Sequence, residues 1–526
     1  MTTPLAIAAT SELAAEAGAQ IAEAGGNAVD AALAAILMSI NTEPGMCSIA
    51  CGGYMSIWPP DGEPITLDGY VTAPGKGNVL PAELRRSTEI HLAYGGGVTT
   101  IIGPDSVGVP GGVALFGAAS EQYGRVPWKL LFEPVVAATR AGFPLPEASH
   151  HYLIHSAEPI FGRTPDGHTA LYHPDGRLKD IGETIRVPHL DETLERIGRL
   201  GPDEFYTGEI GQTIARHVRD AGGRLNAADL AGYRVEPRPS LVIDSGHGSG
   251  QGIGQGIGKG SANPWRIATN PPPAVGGTVL AAMLRMMGRI PVARWDRAAL
   301  CALIDVQRIA LGYRRDHLDL SADVDSDAAR LLELAATCAP ASVLKSGSTC
   351  QASAVDDTGL ACSVTVSAGY SSGDMPPGTG LWLNNCLGEL ELNRRGLDIG
   401  PPGTRLPSNM APTTARAHDG TALAIGSPGA DRITTAILQT LVGYLQIGLS
   451  LEDAISQPRV HVEFTDAGVR AACEPGLPMI DWPLPHREFD TLSMYFGGVS
   501  AAAWSPTDGF TVAADPRRTG GTWCRP

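Results

Sequence analysis

Residues 28–40, A-V-D-A-A-L-A-A-I-L-M-S-I, are apolar nearly all the way round a helical wheel. A helix with almost no polar face has to be enclosed by other elements, so the chain must build a fold around it. The flanks carry the matching punctuation. Asn27 is the expected N-cap, and Gly25-Gly26 separates this helix from a preceding one over 12–24, for which Ser11 is the expected N-cap. The pieces C-G-G-Y-M-S-I-W and P-I-T-L-D-G that follow are strand-like. Residues 128–140 predict a helix kinked at Pro134 and ended by Gly142.

Size and charge exclude several classes. A chain of 526 residues allows about three ordinary domains or one large fold. Lys plus Arg number 39 and Asp plus Glu 55, so 39 − 55 gives a net charge of −16. That charge repels phosphate backbones and anionic lipid, and predicts no nucleic-acid or membrane partner. The apolar run 31–40 is only ten residues long and holds Ser39, against the ~20 a membrane span needs. The N-terminus has no basic region ahead of its short apolar stretch, unlike a secretory signal. Nine cysteines, with no C-x-x-C pair and only the weak pair Cys47 and Cys51, predict reduced thiols and a cytoplasmic protein. Sixty-five Gly and 41 Pro without a three-residue repeat suit a loop-rich enzyme. The stretch 246–260, with Gly at every second position, lacks the P-loop pattern, since Lys259 is followed by Gly260. It reads as an insertion ahead of P-P-P-A-V-G-G, a hinge or flap near a site.

Three constellations could carry chemistry. His151 and His155 have the i, i+4 spacing of a metal-binding helix face, but Tyr152 stands where a zincin has Glu, and two packing or surface histidines are expected instead. Gly369–Gly373, G-Y-S-S-G, matches a nucleophile elbow in letters only, because Pro376-Pro377 prevents the helix that motif requires. The third is Thr349. Cys350 to Asp356 alternates as a strand, 357–359 is a turn, and Leu360 to Val366 is a second strand, so Thr349 opens a tight hairpin. A threonine hydroxyl needs a base, and its own α-amine, with a pKa of about 7.7–8.0, can serve if the bond before it is cut. Spacing alone does not separate this from a β-branched residue in its preferred place. A further helix is expected to begin near Ala430 and run to Gly448.

A series of short motifs adds to this. G-G-N-A-V-D-A-A-L-A-A, N-T-E-P-G-M, C-G-G-Y-M, V-G-V-P-G-G-V-A, Y-G-R-V-P-W, F-Y-T-G-E-I, L-A-G-Y-R-V, P-P-P-A-V-G-G, L-W-L-N-N, I-G-S-P-G-A-D-R-I and A-D-P-R occur in this order between residues 25 and 517. In content and order they resemble the gamma-glutamyltranspeptidases. The resemblance implies an N-terminal-nucleophile hydrolase with a four-layer αββα sandwich, no cofactor and no metal. It implies self-cleavage between Ser348 and Thr349 into segments 1–348 and 349–526 that stay associated. It assigns Thr349 as nucleophile, the N–H groups of Gly429 and Ala430 as oxyanion hole, and Ser367 to the place of a second Thr that contacts the nucleophile.

The substrate pocket departs from the family. Tyr70 stands where the family has the Arg that grips the glutamyl α-carboxylate, and a neutral phenol cannot form that bidentate pair. Gly369 replaces an Asn, Cys386 and Glu389 replace Gln and Asp, and Ser408-Asn409 replaces paired serines. The same acyl chemistry on a different small-molecule substrate is implied. Relatives in antibiotic pathways that make 4-alkyl-proline units hydrolyse a carbon–carbon bond, and others cleave amides. Both remain open, as do a true glutathione hydrolase and an unprocessed binding homologue.

Overall fold

A computed structural model of the chain describes residues 2–77, 80–94, 97–244, 264–336, 349–465, 467–478, 482 and 484–526. Gly347 and Ser348, on the far side of the expected cut, and the glycine-rich stretch 246–260 lie outside them.

Thirteen of the strands form two sheets. The first has the order β13-β1-β7-β8-β2-β3-β4, from β1 (Leu5–Ala9), β2 (Gly52–Trp58), β3 (Ile65–Gly69), β4 (Glu236–Pro239), β7 (Cys350–Asp356), β8 (Ala361–Ser367) and β13 (Gly521–Arg525). The second has the order β12-β11-β10-β9-β6-β5, from β5 (Leu241–Asp244), β6 (Trp265–Thr269), β9 (Thr413–Ala417), β10 (Ala422–Gly426), β11 (Ser500–Ser505) and β12 (Gly509–Ala514). The sheets pack face to face, β7 and β8 lying against β10 and β11. On the outer face of the first sheet, α1 (Glu12–Glu23) lies along β13 and α2 (Ala28–Thr42) covers β1, β7 and β8, with α3 (Trp128–Ala141) behind α2. On the outer face of the second sheet lie α4 (Val275–Met287) and α6 (Arg432–Leu441), with α5 (Arg297–Tyr313) packed on α4. This is the four-layer αββα sandwich that the motifs implied.

Every residue of α2 is buried, as its apolar circumference requires. Asn27 and Asp30 close a capping box at its start: Val29 N and Asp30 N donate to Asn27 Oδ1 at 3.0 and 3.1 Å, and Asn27 N donates to Asp30 Oδ2 at 3.0 Å. Ser11 precedes α1 as expected, without a side-chain cap bond. Pro134 lies inside α3 and Gly142, at φ +83°, ends it.

The hairpin differs from its expected form in one respect. Cys350–Asp356 alternates small apolar with polar residues, yet both faces are buried. The apolar face meets α2, and the polar face looks into the other sheet. There Ser353 Oγ donates to Ser500 O at 3.0 Å and Ser363 Oγ to Ile425 O at 2.9 Å, while Gln351 Nε2 donates to both hydroxyls. Small side chains such as Ala6, Ala268, Ala422, Ala424 and Ala502 let the sheets approach closely enough for these bonds.

The helix expected from Ala430 to Gly448 starts two residues later, at Arg432. It widens into a π-helical segment over Val442–Ile447 and stops at Gly448 in the left-handed conformation, φ +80°.

Candidate active site

Thr349 lies immediately before β7, one residue short of the strand it was expected to open, and is buried. Cys350 pairs with Val366 and the register is antiparallel, so Thr349 sits opposite Ser367, the last residue of β8. The short turn fixes this register, and a slip of one residue would turn both side chains to the other face. Ser367 Oγ also accepts the Gly369 N–H at 3.1 Å, tying the start of the next loop to the hairpin end.

A small cavity, about 240 Å³ including its mouth, is lined by Tyr70, Thr349, Ser367, Glu389, Leu392, Ser408, Asn409, Met410, Ala430 and Ile433. Seven of the ten residues singled out from the sequence therefore share one wall-to-wall space. Gly429 precedes Ala430 in the chain, and Gly369 and Cys386 stand directly behind the lining. Leu392, Met410 and Ile433 were not anticipated; they are apolar residues that no motif marks.

The loop before α6 has an unusual backbone. Gly429 is at φ +123° and Ala430 at φ +55°. A Cβ on Gly429 would meet Gly497 Cα at 2.7 Å, so only glycine fits. Ala430 in a left-handed conformation costs on the order of 1–3 kcal/mol, which the surroundings must impose. They do so through Asp431. Its Oδ1 accepts from Arg314 at 2.7 Å and from Asn409 Nδ2 at 2.6 Å, and Arg314 Nε also donates to Asp319 at 2.9 Å. On the other side Arg432 lies over the Tyr495 ring at 4.4 Å and donates to Tyr495 O. Among the described residues neither the Gly429 nor the Ala430 N–H donates to a backbone acceptor, and both precede a helix N-terminus.

Opposite this loop, the L-W-L-N-N segment carries the other wall. Asn384 Oδ1 accepts from Gly108 N and Cys386 N, and its amide donates to Ala50 O and Gly108 O. Asn385 Oδ1 accepts from Tyr370 N at 2.7 Å, and its Nδ2 donates to Thr100 Oγ1 and Ile101 O. These two asparagines hold Cys386 and Glu389 in place. Tyr70 stacks on Tyr54 with ring centroids 5.6 Å apart, and its hydroxyl hydrogen-bonds Cys386. Burial, reinforced by Cys386 and Glu389, pushes the Tyr70 phenol well above its ordinary value, so it is neutral. Cys386 also hydrogen-bonds Glu389. Glu389 is 1 % exposed, and burial lifts its carboxyl to about 8.

The two remaining constellations do not join this site. His151 and His155 lie on the helix Glu147–Ser156 with ring centroids 6.3 Å apart, both packed near Tyr94. Gly369–Gly373 runs on into irregular chain, Ser371 Oγ donating to Leu383 O, and among the described residues the next helix is α6. The eight described cysteines carry free thiols. Among the described residues no helix is long and apolar enough to cross a membrane.

The profile of the family described as Gamma-glutamyltranspeptidase matches residues 14–523. The chain belongs to that family. Among its gamma-glutamyltranspeptidase relatives, the glutathione hydrolase proenzyme of Pseudomonas aeruginosa is 28 % identical over 507 residues, covering 87 % of this chain and 82 % of the relative. The acylase ACY 1 proenzyme of Pseudomonas sp. (strain SE83) is 27 % identical over 538 residues, covering 97 % and 91 %. Of solved structures, the cephalosporin acylase from Bacillus halodurans superposes with a TM-score of 0.80 at 22 % identity, covering all of this chain and 96 % of that one. LmbA2991HD does so at 0.76 and 20 %, covering 100 % and 98 %. Both share the fold. The chain is thus an enzyme of a hydrolase and transferase family whose relatives are made as proenzymes.

Proposed function

We propose that this chain is an autoprocessing threonine-nucleophile hydrolase that cuts itself between Ser348 and Thr349 and then hydrolyses an acyl bond of a small, carboxylate-bearing metabolite. The observation that carries the reading is the meeting of Thr349, Ser367 and the left-handed Gly429-Ala430 loop around one narrow cavity. In processing, Thr349 Oγ attacks the Ser348 carbonyl, the acyl group shifts to oxygen, and water releases it. The freed α-amine then takes the Thr349 hydroxyl proton during turnover, Ser367 orients the hydroxyl, and the Gly429 and Ala430 N–H groups receive the oxyanion. The large and small segments are 1–348 and 349–526.

The preferred bond is carbon–carbon, next to an oxalyl-type carbonyl in a 4-alkyl-proline precursor. A ketone activated by a neighbouring carboxylate accepts the nucleophile as an amide does, provided the departing carbon is a stabilised carbanion. The cavity's size, about 240 Å³ including its mouth, suits a compact substrate, and a gamma-glutamyl group would miss its usual guanidinium: among the described residues the lining holds no cationic side chain, and the Ser408 hydroxyl and Tyr70 supply neutral contacts. Amide hydrolysis is the second reading, favoured by the acylase relative that spans nearly the whole chain.

One experiment tests both steps. The purified protein should run as two fragments on a denaturing gel, the smaller beginning Thr-Cys-Gln-Ala, and T349A should stay whole and inactive. Given the alkyl-proline precursor, the processed enzyme should release oxalate and the shortened pyrroline, detected by mass spectrometry. Cleavage of T349A at the same bond would remove Thr349 as nucleophile. Absence of oxalate alongside fast cleavage of the matching amide would move the assignment to an amidohydrolase.

A further inference from the structure

Glu389 Oε2 is buried and has no hydrogen-bond partner among the described residues, although the carboxyl lines the cavity that holds Thr349. An orphaned buried carboxyl oxygen is costly, and a native structure that keeps one has a use for it. The neighbouring residues are arranged to keep this one open. Gly369, at φ +65°, lies directly beneath it: a Cβ there would come within 3.0 Å of both Glu389 Cδ and Oε2, and within 2.4 Å of Asn385 Oδ1. Any larger residue at 369 would displace the carboxyl. From behind, Tyr70, Cys386 and Glu389 form a continuous chain of hydrogen-bonding side chains. Cys386 cannot shed its own proton, because burial and Glu389 hold its thiol well above the ordinary value.

Among the described residues no cation neutralises the group. The titratable residues that act on it or through it are Tyr70 after β3, Tyr152 on the helix Glu147–Ser156, and Cys386 and Glu391 of its own loop, all neutral or acidic. Asp431 and Arg432 face Glu391 from the start of α6, and Arg432 is engaged over Tyr495. Glu389 is therefore an acid with its proton on, lining the cavity beside Thr349, with one oxygen that no described residue bonds.

We propose that Glu389 is a second proton-transfer residue of this site, donating the proton the leaving group needs as the Thr349 ester forms. The proposal rests on the acyl-hydrolysis reading above. Thr349 Oγ bonds to the carbonyl carbon and its proton goes to the α-amine. Collapse of the tetrahedral intermediate breaks the bond to the leaving group, whose electron pair takes the Glu389 proton and leaves a carboxylate. Water then attacks the ester and gives its proton to Glu389, while the α-ammonium returns its proton to Thr349 Oγ as the acid departs. Both groups end as they began, and one water has been consumed.

The test compares two probes with the same acyl group, the mono-4-nitroanilide and the mono-4-nitrophenyl ester of oxalic acid, with T349A as background. Nitroaniline must be protonated to leave and nitrophenolate need not be. With processed enzyme in single turnover, E389Q should slow nitroaniline release about a hundredfold or more, and at least ten times more than it slows the nitrophenolate burst. In the wild type both probes need the unprotonated α-amine, so the nitroaniline rate divided by the burst rate should fall as pH rises through about 8, where Glu389 loses its proton; E389D should restore part of the difference. These pH arms need no variant to fold. Equal loss on both probes in E389Q, or a ratio of nitroaniline rate to burst rate that stays flat or climbs through that pH, overturns the assignment. If the wild type releases neither product, the hydrolase reading itself fails.

Discussion

Tyr70 shows how a single side chain redirects a pocket. Its ring is pinned between Tyr54 and Cys386, its hydroxyl is spent on the Cys386 sulfur, and it stays neutral. A glutamyl α-carboxylate entering this cavity would leave water without meeting a guanidinium. A hydrogen bond to a charged group contributes about 1.5–3 kcal/mol, so the loss amounts to at least about tenfold in affinity before any other contact is counted. Gamma-glutamyl 4-nitroanilide and glutathione should accordingly be turned over with a kcat/KM far below that of a glutathione hydrolase assayed in parallel. Comparable values would show that the carboxylate is gripped from elsewhere. Gly369 is coupled to the same change, because the carboxyl of Glu389 occupies the space a side chain at 369 would need.

Two elements illustrate how local signals and long-range contacts divide the work. The start of α2 carries a local signal: Asn27 and Asp30 satisfy each other's backbone donors three residues apart, and the 123–125 segment adds to it, Asn27 Nδ2 donating to Tyr123 O and Arg125 N to Asp30 Oδ2. Asn27→Ala should cost about 1 kcal/mol, with a lower denaturant midpoint and an unchanged slope in the unprocessed T349A chain. An unmoved midpoint would mean that packing alone fixes the helix start. The start of α6 is the opposite case. Next to the left-handed Ala430, Asp431 is clamped by Arg314, 117 residues away, and by Asn409, and Arg432 is tied to Tyr495. The P-P-P-A-V-G-G motif works the same way: the N–H groups of Val275 and Gly276 both donate to Ser408 O, and a Cβ on Gly276 would strike Asn409 O at 2.1 Å. That motif seats the Ser408-Asn409 wall of the cavity on the N-terminus of α4.

On the scale of the whole molecule, the expected cut would not divide the fold. In the first sheet β1 lies between β13 and β7, so a strand of segment 1–348 is bonded on both edges to strands of segment 349–526. In the second sheet β6 of the first segment pairs with β9 of the second. The A-D-P-R motif near the C-terminus is part of a buried ionic cluster, with Arg517 bonded to Glu474 and to Asp515, which also pairs with Arg459. Breaking such a cluster leaves uncompensated buried charge. After cleavage the two fragments should elute as one species of about 55 kDa in native buffer and separate only in denaturant. Dissociation in native buffer would contradict the shared sheets.

The chain's own order of residues determined what depends on near neighbours. The apolar girth of α2, its cap, the proline-containing helix ended by Gly142, and the hairpin that follows Thr349 were all legible, because periodicity, capping and turn signals act over a few residues. The motifs also placed the candidate nucleophile, oxyanion loop and pocket positions on one site. Only the tertiary structure decided their states. The polar face of β7 became an inter-sheet seam, and Leu392, Met410 and Ile433 became cavity wall. Glu389 became a carboxyl with its proton retained to about pH 8. A carboxyl's proton affinity is set by the water it loses and by the charges that surround it once the chain has folded, and those come from segments hundreds of residues apart.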